Sequence, residues 1–153
     1  MPALKPYTPT QERVGNVVIR VMSWLNILAY RASGGRIGGR FLGGAPVLLL
    51  TTVGRRSGQP RTAPVLYLAD GENLVVVASK GGFSHHPDWF GNLEAHPHVK
   101  VQLGSRERPM WARRATAEEK TALWPRLVAM YSDFANYQAR TDRDIPVVIL
   151  EPR

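Results

Sequence analysis

Val47-Leu48-Leu49-Leu50-Thr51-Thr52-Val53, then Ala63-Pro64-Val65-Leu66-Tyr67-Leu68, then Leu74-Val75-Val76-Val77-Ala78: these three runs decide the fold class. Each is short, apolar and rich in β-branched residues, as strands with buried faces are. Asp70-Gly71 gives a tight-turn signal between the second and third. Links of hairpin length leave no room for crossover helices, so antiparallel neighbours are expected. Further along, residues 99–103 and 111–115 read as another pair of strands and residues 147–150 as a last one. Residues 87–95 read as a short helix, and Thr116-Ala117-Glu118-Glu119 is a capping box opening a helix to about Tyr131. The order α-βββ-α-ββ-α-β predicts an α+β, mainly β protein of about six mostly antiparallel strands. Sheet or barrel, its helices pack outside; a doubly wound parallel sheet does not fit.

Upstream of the strands the pattern is helical. Thr8-Pro9-Thr10-Gln11 reads as a capping box with proline at the first helical position, and Gly34-Gly35 as the stop. Val14, Val17, Val18, Val21, Leu25 and Leu28 recur at helical spacing. Arg20 interrupts the apolar run, which argues against a spanning helix and against a signal peptide. Two readings fit. In one, the apolar stripe lies on the domain core. In the other, the helix rests on an anionic lipid surface, with Arg13, Arg20, Arg31, Arg36 and Arg40 at the headgroups and Trp24 and Tyr30 at the interface. The chain is expected to be one structural domain, with residues 1–44 as basic helix and connector and residues 45–153 as the barrel.

The chain has 153 residues, 44% apolar and 21% charged, an ordinary globular balance. It contains no cysteine, which excludes disulfides, thiolate nucleophiles and Cys-held metal clusters, and which fits a cytoplasmic location. The net charge is +8, of which residues 1–40 hold +5. An anionic partner is implied: nucleic acid, a membrane surface or a phosphorylated small molecule.

The densest local charge is Gly54-Arg55-Arg56-Ser57-Gly58-Gln59-Pro60-Arg61, and no acid occurs from Gly54 through Ala69. Forked guanidinium donors match phosphate or carboxylate oxygens, so this hairpin is a candidate anion clamp as well as a candidate solvated turn. Ser79-Lys80-Gly81-Gly82 follows the third strand, which places Lys80 near the same anion. Neither loop has the glycine spacing of a phosphate-binding or dinucleotide motif. His85-His86 and His96-Pro97-His98 lack an acid or cysteine at ligand spacing, so no metal is expected. With two short basic loops and no recognition signature, nucleic acid is not expected either. Tyr131, Phe134 and Tyr137, spaced by three, form either a core stripe or an aromatic wall over a pocket, to which Trp89 and Phe90 would add.

Several blocks together resemble the deazaflavin-dependent nitroreductase family of actinobacteria. They are Leu50 through Arg61; Ala78-Ser79-Lys80-Gly81-Gly82; Pro87-Asp88-Trp89-Phe90-Gly91-Asn92-Leu93; and Trp124-Pro125 to Tyr131 with Thr141-Asp142-Arg143-Asp144-Ile145-Pro146-Val147. The resemblance implies a split β-barrel and coenzyme F420, a deazaflavin with a phospholactyl-oligoglutamate tail; FMN is the rival cofactor. It implies that Arg55, Arg56, Ser57, Arg61 and Lys80 hold phosphate and tail. Pro64, Val65, Val77, Ala78 and Ser79 would line the ring, with Trp89 and Asn92 approaching from the short helix. Tyr131, Phe134 and Tyr137 would wall the acceptor side. Hydride passes to a quinone, nitroaromatic or fused-ring enone, with Ser79 or Tyr131 as the catalytic hydrogen-bonding group; a non-catalytic deazaflavin carrier is the alternative. A lipid-soluble quinone would be met on the cytoplasmic face of the membrane. The oligomeric state stays open. Three departures stand out: Phe134 where a tyrosine is common, Leu66-Tyr67 with its aromatic one place late, and His96-Pro97-His98 in place of Asn-Pro-Lys. The second should turn Tyr67 to the opposite face of its strand.

Overall fold

Side chains alternate across a strand, so a strand buried on both faces must find two apolar partners. The first strands here do so by closing on themselves. In a computed structural model of the chain, which describes residues 4–41 and 44–153, six strands form a closed barrel. They are Val47–Val53 (β1), Pro60–Asp70 (β2), Asn73–Val77 (β3), His98–Leu103 (β4), Arg106–Arg114 (β5) and Val147–Pro152 (β6). Residues 1–3 and 42–43, within the expected N-terminal segment, lie outside the described residues. The circular order is β1-β2-β3-β6-β5-β4, and every pairing is antiparallel. β2 and β5 run longer than expected. Asp70-Gly71 makes the expected turn, with Asp70 opposite Asn73 and Gly71 at φ 61°.

One face of each strand fills the barrel. Leu48, Leu50, Val65, Leu74, Val76, Val99, Val101, Met110, Ala112, Val148 and Leu150 share that interior. The helix Asp88–Ala95 (α2) adds Phe90 and Leu93 to it, which plugs one end. The other face of β3 and β6 offers Val75, Val77, Val147 and Ile149 to Leu123 and Leu127 of Ala117–Met130 (α3) and to Phe134 of Asp133–Arg140 (α4). Thr116 caps α3 as its sequence signalled. Tyr131 ends that helix, so the three aromatics spaced by three sit on two elements rather than one. Tyr67 turns inward toward the barrel cluster and Leu66 outward.

The first helix, Pro9–Ser33 (α1), has both its expected boundaries: a Thr8 capping box and Gly34 at φ 63°. Its orientation corrects the reading that laid the apolar stripe on the core. Glu12, Gly15, Asn16, Ser23, Asn26 and Ile27 face the body half-buried, and Tyr30 is fully buried against Val47 and Leu49. The stripe of Val14, Val17, Val18, Val21, Leu25 and Leu28, with Met22 and Trp24, faces away and is 48–63% exposed. The reason is the contact surface: Gly15 sits so close to Phe83 that a Cβ would come within 2.7 Å of the ring. The small and polar side alone fits there. Tyr30, 1% exposed, also corrects its placement at an interface; its hydroxyl donates to Gln102 O at 3.2 Å and accepts from Gly104 N at 2.9 Å.

Candidate functional site

The basic hairpin is held from behind. Arg55 donates through Nη1 to Asp88 O (3.1 Å) and Asn92 Oδ1 (3.0 Å), its N–H donates to the same Asn92 oxygen (3.1 Å), and Asp88 Oδ1 lies 3.6 Å from Nη2. Asn92 is buried and donates to Thr52 Oγ1 at 3.1 Å, so both ends of its amide are committed. Arg55 and Asn92 therefore fasten the loop to α2. Arg56 and Arg61 are exposed, and among the described residues neither pairs with a carboxylate. Ser57 Oγ accepts from Gln59 N (3.2 Å) and from Arg61 Nη2 (3.4 Å), which shapes the tip.

Beyond β3 the chain makes a strained turn. Lys80 (φ 43°) is the one non-glycine residue at positive φ among those described, followed by Gly81 (63°) and Gly82 (81°). A left-handed lysine costs roughly 1–2 kcal/mol, and such strain persists only where the surroundings enforce it. Arg143 enforces it. Its guanidinium donates to Ala78 O (3.2 Å), Ser79 O (2.6 Å) and Phe83 O (2.8 Å), and sits 2.9 Å from His86 Nδ1. Burial, then the adjacent Arg143, holds His86 below its ordinary pKa, so its ring nitrogen accepts from the arginine. The Ser79 hydroxyl and the N–H groups of Ser79 and Lys80 find no partner among the described residues. Lys80 Nζ lies 3.0 Å from His85 Nε2, and burial lowers its pKa against the opposing pull of Asp88 and Glu12. Asp88, paired with Arg55 and felt by Lys80, links the two basic loops.

The expected ring-lining residues divide. Val65 points into the barrel, Ala78 is fully buried, and Val77 is covered by α3 and α4, so these three present backbone alone. Pro64 lies on the outward face of β2, and Trp89 half-buried against the barrel cluster. Phe134 corrects the aromatic wall: at 3% exposure it belongs to the core beneath α3 and α4. Tyr131 and Tyr137 remain half-buried with hydroxyls 2.8 Å apart, and burial raises both pKa values. Each phenol keeps its proton at neutral pH. Phe41 packs edge-on to Tyr131 at 5.7 Å.

α1 roofs this corner. Glu12 accepts from Ser84 N (2.7 Å) and Ser84 Oγ (2.8 Å) and lies 3.7 Å from His85 Nδ1. Burial acts to raise the Glu12 pKa, but those hydrogen bonds and the neighbouring His85 and Lys80 leave it lowered. Glu12 and Arg143 were not legible as site residues: one reads as a helix-start acid, and the other stands between Asp142 and Asp144 in a resemblance block that assigns it no role. His98 stacks on Trp111 at 4.0 Å, and among the described residues no three His, Asp or Glu side chains gather to hold a metal.

Residues 23–152 match the family model described as F420H(2)-dependent quinone reductase. A Mycobacterium tuberculosis protein named as a candidate F420H(2)-dependent quinone reductase, Rv3178, is 44% identical over 118 residues, 77% of this chain and 99% of that protein. A solved F420-H2 dependent reductase, FDR-A, is 41% identical with a TM-score of 0.64, covering 69% of this chain and 94% of that one. A structure described as a domain-swapped dimer is 35% identical with a TM-score of 0.67, covering 89% of this chain and 98% of that one.

Proposed function

The chain belongs to the F420H(2)-dependent quinone reductase family, and from that premise we propose that it binds coenzyme F420 and reduces a lipid-soluble quinone at a membrane surface. The observation that carries the reading is the turn at Ser79 and Lys80. Two N–H groups and a hydroxyl without partners among the described residues suit the carbonyl oxygens of a deazaflavin ring, beside cations for its anionic tail. The residues present fit that group: Arg56, Ser57, Arg61 and Lys80 would hold phosphate and tail, while Pro64 and the backbone of residues 77–79 would meet the ring.

When bound, the reduced deazaflavin supplies the hydride. The protein's part is to bind, orient and hold protons. The Tyr131–Tyr137 pair keeps its protons and so offers a hydrogen bond to an acceptor oxygen as charge develops there. Ser79 Oγ, uncommitted among the described residues, is a second such donor.

The outward stripe of α1 supports the membrane part. Arg13, Arg20 and Arg31 lie along it, and Glu12, the one acid of the helix, faces inward. No described helix is long and apolar enough to cross a membrane, whereas a helix with an apolar outer face and basic flank rests on an anionic one. We place the protein on the cytoplasmic face, where anionic lipid and cofactor would both be met.

The test is a fluorescence titration with oxidised F420 and, in parallel, FMN, followed by a menaquinone analogue added to the reduced complex. Tight deazaflavin binding with quinone-dependent reoxidation is expected. Binding of FMN alone, or no reoxidation, overturns the reading. In sedimentation, the protein should follow anionic vesicles and not neutral ones, and Val17→Glu with Leu25→Glu should abolish that.

A further inference from the structure

We infer that Arg143 is the positioning residue of the cofactor site: it grips both sides of the Ser79–Gly82 turn and aims the Ser79 and Lys80 N–H groups at the ring. The inference rests on the deazaflavin reading for what those groups meet, and on geometry for how they are held. A trans peptide points its C=O and N–H in opposite directions. Arg143 takes the Ala78 and Ser79 carbonyls, so the next two N–H groups, those of Ser79 and Lys80, point away from it. Neither finds a partner among the described residues, nor does the Gly81 N–H that follows, while Ala78 N donates to Pro146 O and Gly82 N to Ser79 O. The same guanidinium takes Phe83 O on the far side of the turn. One planar fork thus closes a loop whose middle is three left-handed residues. An ammonium has three donors on a flexible stem and cannot match three carbonyls and an imidazole at fixed angles.

Arg143 also joins this turn to the end of the chain. It stands between α4 and β6, two residues before the fully buried Ile145. Gly82 fits so closely under α4 that a Cβ there would come within 2.7 Å of Tyr137 O. The turn is therefore set between α4 and Arg143, and the tyrosine pair shares that support.

The experiment compares wild type with Arg143→Lys and Arg143→Gln, with Arg126→Gln, a surface ion-pair residue, as control. In the ligand-free protein, hydrogen exchange of the Gly82 and Phe83 amides, which donate to Ser79 O and Lys80 O across the turn, should quicken at least tenfold in both Arg143 variants and stay unchanged in the control. Oxidised F420 should bind at least tenfold more weakly to both, with kcat falling while KM for the quinone stays within twofold. Melting temperature reads global damage separately. Unchanged exchange in folded variants overturns the inference. So does quickened exchange with undiminished F420 affinity, since the grip would then serve stability alone. If wild type itself binds no deazaflavin, the proposed function falls, this inference falls with it as a statement about a cofactor, and the exchange result still decides whether Arg143 holds the turn.

Discussion

α1 and α3 open with the same device, a threonine capping box, yet they use their apolar faces in opposite ways. α3 buries Leu123 and Leu127 against the outer face of β3 and β6. α1 turns its polar and glycine side to the body and leaves its valines and leucines in solvent. The two helices teach that a cap fixes where a helix starts, whereas the surface it meets fixes which side it shows. Under α3 that surface is a row of β-branched side chains. Under the N-terminal turns of α1 it is the 83–85 loop, whose Ser84 takes a carboxylate and whose Phe83 admits a glycine.

The largest effect that tests the comparison is core truncation. Leu127→Ala should cost about 2–5 kcal/mol in denaturant unfolding, because a fully buried side chain leaves a cavity. Leu25→Ala, half exposed on α1, should stay within about 0.5 kcal/mol. Equal losses would mean that the stripe of α1 is covered in solution and would break the contrast.

Cap removal is next. Thr116→Ala should lower global stability by about 1 kcal/mol. Thr8→Ala should leave the unfolding midpoint in place and speed hydrogen exchange in the first turn of α1 alone, since that turn touches the body at few points. A shared drop in midpoint would show that α1 and barrel unfold as one unit.

The smallest effect is on acid stability. Glu119, gripped by both Nη atoms of Arg113 at 2.7 and 2.8 Å, has its pKa lowered from 4.5 to about 2. A depressed carboxylate stabilises the fold fully above its unfolded value and loses that contribution as pH falls through the folded one. Wild type should therefore lose stability between about pH 4.5 and 2, and Glu119→Gln should flatten that limb in acid titration monitored by circular dichroism. Glu12 has the same sign on α1. Its protonation should free the Ser84 amide, seen as faster exchange at a pH where the barrel stays folded; an unchanged Ser84 amide would show that Glu12 does not fasten the helix.

Much of the molecule was legible beforehand. The three strands between Val47 and Val77, both capping boxes and the Asp70-Gly71 turn depend on neighbours a few residues away, and all are present, with β2 extended at both ends. The site was less legible. Arg55 and Asn92 carry the right chemistry to hold a cofactor but hydrogen-bond each other across 37 positions. Phe134 reads as part of a wall and lies in the core. Arg143, the strongest organiser of the turn, sits between two acids in a block whose resemblance assigns it no role.

By itself, then, the sequence determined the mainly antiparallel β class, the capped starts of α1 and α3 and the placing of a basic loop before the second strand. Those follow from turn chemistry, caps and hydrophobic period, which act over one to four residues. Tertiary structure alone decided the circular strand order β1-β2-β3-β6-β5-β4, that Arg143 clasps three carbonyls sixty residues away, and that α1 faces outward. Periodicity reveals that a helix has an apolar side; which side meets the protein depends on the shape and polarity of a surface assembled from distant parts of the chain.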